Sequence, residues 1–436
     1  MDKQSIGVIG GGLMGIDIAR RLTREGFDVS ILEGAATLGG LTDSCKLGDY
    51  VWDKFYHVIL PDDSFTRQLI SDLNLEIIWA ETKTGFFIKG SYYSMSNTAE
   101  FLKFPTLNLF QKFRLGLTIL AGTYLTNYKR LERIPVSKWL IRWSGKKTFN
   151  NIWLPLLRAK LGEDYRLTSA AFICTTIRRL YTARSNGSKK EVFGYVGGGY
   201  SKILEKLNDK ILSEKIEVIT NFKAKELKHS EEGLTVTSTD GTRKTFNFVI
   251  STLPSALSAM LCPQLSDVEI DRLKNIKYLG VVCVSLLIKK PLTPYYVTNI
   301  TDGKLPFTGV IEMTSLVKPS FFGGNSLIYL PKYINSGDAL FNLTDEELKD
   351  TFIESLKIMQ PLFKNEDIIS SNVARARNVI ALPEMGYSKK LPYWNTTINN
   401  LFIINSSFIT DGTLNVNETL KISNNYLSEV LKIIKQ

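Results

Sequence analysis

A glycine triplet near the N-terminus constrains this chain more than any other feature. Gly10, Gly12 and Gly15 directly follow a short β-rich run and open an apolar pattern of helical spacing that stops at Gly26. In such a turn the first glycine makes the tight bend, the second lets the backbone approach a pyrophosphate, and the third lets helix and strand pack closely. The pattern therefore predicts a βαβ unit that binds the ADP-ribose part of a dinucleotide.

Three further residues of this unit support the prediction. The second strand ends in Glu33, whose carboxylate is placed to accept hydrogen bonds from ribose hydroxyls. Leu13 and Met14 begin the helix, and the free N–H groups and partial positive charge of a helix N-terminus favour a diphosphate. We expect all three residues to contact the dinucleotide.

A second glycine pair, Gly39-Gly40, follows Glu33 closely, and another glycine run at 197–199 precedes a helical pattern. The sequence resembles the superfamily of FAD-dependent amine oxidases, protoporphyrinogen oxidases and phytoene desaturases. The resemblance lies in these glycine segments, in the run 249–254, and in the closing strand, turn and helix. The segments also occur in that family's order. The resemblance implies an α/β fold, in which a Rossmann-like FAD-binding domain of the GR2 type carries an inserted, mixed α+β substrate domain. It also implies tightly but noncovalently bound FAD.

The resemblance adds cofactor contacts beyond the first glycine loop. Two positions depart from the family's pattern. Leu41 stands where an Arg or Lys commonly follows the glycine pair, and the run 405–407 (Asn-Ser-Ser) replaces a frequent Gly-Asp. The turn 411–415 is similar to the family's final turn, which brings a helix N-terminus to the flavin pyrimidine. The further residues implied to bind FAD are Leu41, Ala224, Thr252, Asn405, Ser406, Gly412, Thr413, Leu414 and Asn415.

The order of predicted elements divides the chain into two interleaved domains. We predict that 1–60, 190–270 and 379–436 form the FAD-binding domain, and that 61–189 and 271–378 form the substrate domain. The insertions are predicted to contain helices at about 60–80, 101–162 and 345–359, and strands at 278–290 and 324–334.

Tyr56 and His57 are the predicted catalytic residues. Their segment resembles the family's approach to the isoalloxazine ring and the histidine-bearing segment of UDP-galactopyranose mutases. His57 is predicted to hydrogen-bond flavin N5 or O4, or to exchange a proton with the substrate, and a structural histidine is the equal alternative. His229, the other histidine, lies in a charged hairpin pattern and is most simply a surface residue.

Arg179, Arg375 and Tyr387 are predicted to contact the substrate. A guanidinium group suits a carboxylate or phosphate, although a structural salt bridge is the alternative for each arginine taken alone. The other cationic candidates are Lys160, Arg178, Arg184 and Arg377. No metal site is expected, because the chain has two histidines and four widely separated cysteines without a CxxC pair.

The formal charge of +11 is concentrated in one basic, amphipathic and mainly helical segment at 101–149. Its basic residues alternate with Phe, Leu and Trp, which suits an anionic leaflet or the border of a site for an anionic substrate, and also an ordinary solvated helix face. The N-terminus enters a strand without a signal-like apolar core, so a cytoplasmic protein is expected, with contact to the inner face of the membrane left open. No nucleic-acid module is recognisable.

The resemblance implies an FAD-dependent oxidoreductase that moves a hydride from a C–N or C–C bond of a hydrophobic or anionic small molecule to flavin N5. One alternative is a redox-neutral enzyme similar to UDP-galactopyranose mutase, acting on a nucleotide sugar or glycan precursor. A second is a non-catalytic, membrane-associated flavoprotein. The oligomeric state is left open.

Overall fold

The computed structural model describes residues 3–125, 127–182, 191–301, 303 and 305–436. The strands are β1 (Ser5–Ile9), β2 (Asp28–Leu32), β3 (Ser44–Leu47), β4 (Tyr50–Asp53), β5 (Ile77–Thr82), β6 (Thr84–Ile88), β7 (Ser91–Ser94), β8 (Glu191–Val196), β9 (Glu217–Ile219), β10 (Ala224–Ser230), β11 (Gly233–Ser238), β12 (Arg243–Phe246), β13 (Phe248–Ser251), β14 (Tyr278–Ile288), β15 (Val297–Ile300), β16 (Gly309–Glu312), β17 (Ser326–Asn335), β18 (Ile368–Ala381) and β19 (Leu401–Ile403). The helices are α1 (Leu13–Arg24), α2 (Ser64–Asp72), α3 (Thr98–Lys103), α4 (Leu109–Tyr124), α5 (Tyr128–Leu131), α6 (Val136–Ser144), α7 (Lys146–Thr148), α8 (Leu154–Leu161), α9 (Ala170–Thr182), α10 (Gly199–Ser213), α11 (Ser255–Leu261), α12 (Asp267–Lys274), α13 (Asp345–Met359) and α14 (Val416–Ile434).

A five-stranded parallel sheet of order β19-β13-β1-β2-β9 forms the centre of the first domain. Its inner strands are nearly continuous apolar runs, as expected for strands that are covered on both faces. Helices α1, α10 and α14 contribute their apolar stripes to the core that covers it. Because the strands are parallel, the loops that follow β1, β2, β13 and β19 all leave the sheet at the same edge.

The second domain is built on a seven-stranded sheet of order β18-β14-β17-β16-β15-β6-β7. Every residue of the central strand β14 is buried. Its alternate residues face two different layers: Val282 and Val284 pack in the core beneath α13, whereas Cys283 and Leu287 pack with the aromatic residues around Trp52. The second layer also contains Trp52 and Tyr195, which lie in segments assigned to the first domain, so this layer faces that domain.

Helices α4, α6, α8 and α9 form a separate layer with its own core. That core includes Trp139 and Leu140 of α6, and it meets the second domain at Leu279 and Leu382. A π-helical turn at Phe149–Trp153 leads into α8. No helix in the described ranges is long and apolar enough to cross a membrane.

The helical prediction for 101–162 and the predicted elements at 278–290, 324–334 and 345–359 are confirmed. The helical prediction for 60–80 is wrong at its end, because Ile77–Thr82 forms β5 and pairs with β8, far along the chain. The sequence pattern also did not indicate β6 and β7, which join the second sheet.

Two elements cross the predicted domain limits. Helix α2 lies within the predicted substrate domain, but Leu69 and Ile70 pack in the core of the first sheet. Strand β18 continues past residue 378 as far as Ala381. Such limits follow from long-range packing, which local periodicity does not report.

Candidate active site

The first glycine loop joins β1 to α1 through close backbone contacts. Gly10 has a φ of +106°, a conformation that side chains rarely allow. A Cβ atom on Gly15 would lie 1.9 Å from the carbonyl oxygen of Gly10, so only glycine lets the helix approach the loop this closely. A Cβ on Gly12 would meet no protein atom within 4 Å, so Gly12 borders open space.

The N-terminus of α1 faces this open space without a side-chain cap. The first N–H groups of a helix have no partner within the helix, and the helix dipole adds partial positive charge at that end. The backbone of Leu13 and Met14 is therefore available to bind an anion beside Gly12. This combination suits the diphosphate of a dinucleotide.

The second glycine pair lies directly against the first loop. Gly39 has a φ of +123° and donates its N–H to the carbonyl oxygen of Gly11 at 2.8 Å. A Cβ on Gly40 would lie 3.3 Å from the Cα of Gly12. The structure thus brings both predicted glycine motifs into one cradle, with the half-buried Leu41 following it.

Glu33 is held at the end of β2 by two backbone hydrogen bonds. Its carboxylate accepts from the N–H of Gly11 at 2.6 Å and from the N–H of Ala35 at 2.7 Å. The carbonyl oxygen of Glu33 also accepts from the N–H of Phe222, which leads to Ala224 at the start of β10. Glu33 and Ala224 therefore stand on the same side of the cradle, where the resemblance places the ribose and adenine.

Thr252 and Asn405 end two neighbouring strands at the same edge. The hydroxyl of Thr252 donates to the carbonyl oxygen of Ile9 at 3.0 Å, which ties β13 to the glycine loop. The buried amide of Asn405 donates to the carbonyl oxygen of Leu253 at 2.8 Å and accepts from the N–H of Ser407 at 2.9 Å. The Asn405 side chain is thus used within the protein, so backbone groups near the half-buried Ser406 are the ones left to meet a ligand.

The turn before α14 brings a second helix N-terminus into this region. Asn415 caps α14: its side chain accepts from the N–H of Glu418 at 3.0 Å and donates to the carbonyl oxygen of Thr413 at 2.6 Å. Gly412, Thr413 and Leu414 are half-buried. The helix end is therefore capped, and its dipole favours negative charge in front of the turn.

The residues present fit a flavin dinucleotide. The cradle offers a diphosphate site at the open space beside Gly12, an acid for the ribose at Glu33, and a helix N-terminus for the flavin at the turn 412–415. The model of the family of flavin containing amine oxidoreductases matches residues 14–396, which is most of the chain.

The chain belongs to the flavin containing amine oxidoreductase family. It is an FAD-dependent oxidoreductase with a Rossmann-like FAD-binding domain and a substrate domain, as the sequence predicted.

Solved structures share the fold over the whole chain. A candidate protoporphyrinogen oxidase from Exiguobacterium sp. 255-15 has a TM-score of 0.78 at 12% identity, with 99% of both chains covered. Reduced UDP-galactopyranose mutase has a TM-score of 0.75 at 16% identity, with 99% of this chain and 96% of the other covered. Putrescine oxidase bound to putrescine has a TM-score of 0.73 at 17% identity, with 99% of both covered. At these identities the likeness shows the fold and leaves the substrate open.

Tyr56 lies against the inner face of the second sheet. Its hydroxyl is 2.9 Å from the hydroxyl of Tyr333 on β17, and the ammonium group of Lys160 lies 4.4 Å above the Tyr333 ring. Desolvation raises the pKa of Tyr56 well above its ordinary value, and the neighbouring Tyr333 raises it further. Tyr56 is therefore a neutral hydrogen-bonding group at neutral pH and does not serve as a general base.

His57 faces the other way, toward α10. Its ring lies 4.8 Å from the ring of Tyr200, and its Nδ1 is 3.4 Å from a carboxylate oxygen of Asp53. The other carboxylate oxygen of Asp53 accepts from the N–H of Tyr200 at 2.7 Å. His57 also borders an internal cavity of about 10 Å³, which is about the space that one water needs. The side chains of Tyr56 and His57, the two predicted catalytic residues, therefore project from opposite sides of their segment.

The three predicted substrate residues make contacts within the protein. Arg179 forms a two-pronged ion pair with Asp63 at 2.8 and 3.0 Å. Arg375 pairs with Asp345 at the start of α13, on the sheet face opposite to Cys283. The buried hydroxyl of Tyr387 donates to the carbonyl oxygen of Ser407 at 2.7 Å.

The other cationic candidates differ in their partners. Arg178 donates to the hydroxyl of Tyr128, and Arg377 donates to the carbonyl oxygen of Ser336. Arg184 lies outside the described residues. Among the described residues no carboxylate pairs with Lys160, so this candidate keeps its charge available beside Tyr333. Sequence reasoning missed Tyr333, although the alternation along β17 is the signal that places it on the same face as Tyr329.

Proposed function

We propose that this enzyme removes a hydride from a C–N or C–C bond of a hydrophobic or anionic small molecule and delivers it to N5 of FAD. When bound, FAD would supply the two-electron acceptor, and O2 or another acceptor would reoxidise it. The observation that supports this proposal is the Tyr56–Tyr333 hydroxyl pair beside Lys160, in an aromatic layer that faces the FAD-binding domain. In addition to the hydride, one proton leaves the neighbouring N or C atom of the substrate and passes to solvent, so that the single bond becomes C=N or C=C.

Each of these side chains has a role that follows from its surroundings. Tyr56 remains protonated, and the hydroxyl groups of Tyr56 and Tyr333 orient the substrate by hydrogen bonding. Lys160 offers a positive charge to a substrate carboxylate. The buried layer around Cys283 and Tyr329 excludes water and suits an apolar substrate body. These groups bind and orient, and hydride transfer needs little more from the protein.

A redox-neutral mutase is the second candidate, favoured by the resemblance of the His57 segment and by the shared fold with UDP-galactopyranose mutase. A nucleotide-sugar diphosphate is best held by guanidinium groups. Arg179 and Arg375 are both paired with carboxylates of this chain. We therefore place the mutase reaction second.

Substrate-dependent reduction of the flavin tests the two functions directly. The holoprotein would be mixed without oxygen with apolar amines and apolar carboxylic acids, and the flavin absorption would be followed. We expect bleaching by a member of this panel. In parallel, dithionite-reduced holoprotein would receive UDP-galactopyranose. Conversion of that sugar by the reduced protein, without bleaching by any panel member, would favour the mutase.

A further inference from the structure

Helix α4 exposes an apolar stripe to solvent. Leu109, Phe110 and Phe113 are 75%, 68% and 64% exposed, and Leu117, Leu120 and Tyr124 continue the row. With about 100° between successive residues of a helix, all six fall within about 100° of the helical wheel. No charged residue of α4 lies in this sector. Soluble proteins rarely present such a continuous apolar row to water.

The opposite side of α4 is already packed, which fixes the stripe on the outside. Leu115 is buried in a small core with Phe104, and Gly122 lies so close to Ile177 of α9 that a Cβ would come within 2.9 Å. The guanidinium group of Arg114 donates to the carbonyl oxygens of Arg142 and Trp143, which secures α4 to the end of α6. The helix therefore cannot rotate to bury its stripe without breaking these contacts.

The chain segment that carries the stripe is strongly basic. The segment 101–149 has the single acid Glu132, which is buried and accepts a hydrogen bond from Ser388. Exposed Lys138 and Arg142 lie beside exposed Ile141 on α6. The exposed basic residues of the segment are Lys103, Lys129, Arg130, Arg133, Lys138, Arg142, Lys146 and Lys147. An apolar row with basic neighbours matches an interface that is apolar inside and anionic at its surface.

We propose that the α4 face docks onto an anionic lipid bilayer, with Phe110 and Phe113 entering the boundary between headgroups and acyl chains. A second copy of this chain is a poorer occupant, because a twofold contact through this face would bring two basic segments together. The proposal is independent of the reaction at the flavin, and its test does not need a substrate.

Sedimentation of the holoprotein with lipid vesicles tests this docking. We expect at least tenfold stronger binding to vesicles with about one third phosphatidylglycerol than to vesicles of phosphatidylcholine alone, since each basic residue near an anionic surface adds attraction. The double substitution Phe110→Ser and Phe113→Ser should weaken binding at least tenfold. Lys138→Gln with Arg142→Gln should remove most of the preference for phosphatidylglycerol.

Matched variants elsewhere on the surface serve as controls. Leu212→Ser with Leu362→Ser removes apolar groups that are more exposed than the two phenylalanines, and Lys289→Gln with Lys290→Gln removes exposed charge; both should bind as the parent protein does. Melting temperatures of the holoproteins check that each variant folds. Equal vesicle binding by the phenylalanine variant, or no vesicle binding by the parent protein, would overturn the proposal. So would a dimer in lipid-free buffer that this variant dissociates.

Discussion

The two halves of the candidate site are built in different ways. The FAD half consists of backbone: glycine loops, helix N-termini and strand ends meet at one edge of a parallel sheet. The proposed substrate half consists of side chains that come from a helix, a sheet and a connecting segment, such as Lys160, Tyr333 and Tyr56. A site made of backbone groups needs particular residues at fixed spacing along a short stretch of sequence. A site made of side chains depends on residues that lie far apart in the sequence.

Substitution of a single glycine is expected to have the largest effect on the half of the site that binds FAD. In Gly15→Ala the new Cβ would lie 1.9 Å from the oxygen of Gly10. We expect about 4 kcal/mol of lost stability, because neither backbone can yield without separating β1 from α1. Urea unfolding of the protein with and without FAD measures this loss.

Gly12→Ala is the matched control, because its Cβ meets no protein atom within 4 Å. It should leave the stability of the FAD-free protein unchanged while lowering FAD affinity at least tenfold, since the space is needed by the ligand. Normal FAD binding by this variant would show that the diphosphate does not bind beside Gly12.

The ion pair between Arg179 and Asp63 tests the substrate half. Arg179→Met should cost about 3 kcal/mol of stability, because it leaves the nearly buried Asp63 carboxylate without its cation. The KM for substrate should stay within twofold. A raised KM with unchanged stability would instead show that Arg179 contacts the substrate. Denaturant unfolding and steady-state kinetics on the same preparation supply both readouts.

The same contrast explains what the sequence could predict. The loop at Gly10–Gly15 and the acid Glu33 form a local pattern, so spacing alone predicts a dinucleotide role for them. The pair Gly39-Gly40 is also local, and its predicted role is implied by the family resemblance. Arg179 looks like an anion site because its partner lies 116 residues away in the chain. The first residues of strand β5 were predicted as helix for the same reason, since β5 pairs with β8 across most of the first insertion.

His57 and Tyr56 face different sides of one segment, and substitution separates their roles. His57→Ala should lower kcat about 100-fold if the imidazole exchanges a proton during turnover, with a smaller effect on stability. The rate of flavin reduction, measured by stopped flow, and the melting temperature would both be determined for this variant. Normal reduction with a lowered melting temperature would make His57 a structural partner of Tyr200 and Asp53.

Glu33 contributes a side chain to the half of the site that is otherwise built mainly from backbone, and its substitution tests that contribution. Glu33→Ala removes two backbone hydrogen bonds and the ribose acceptor, so we expect about 30-fold weaker FAD binding, or about 2 kcal/mol. Glu217→Ala is the control, because this acid lies on β9 of the same sheet and accepts hydrogen bonds from Ser30 on β2 and Lys244 on β12, away from the cradle. Equal flavin occupancy in both variants would count against the ribose assignment.

Lys160 gives the smallest expected effect and the sharpest test of substrate charge. Its ammonium group lies over the Tyr333 ring, and among the described residues it has no carboxylate partner. Lys160→Gln should raise the KM of an anionic substrate about tenfold and leave kcat within twofold, because the charge binds the substrate equally before and during the reaction. Arg158→Gln on the same helix removes a charge that is paired with Glu163, and its KM should equal that of the parent protein. If a neutral substrate loses affinity as much as an anionic one in Lys160→Gln, then Lys160 acts through its packing on Tyr333, and the substrate needs no negative charge.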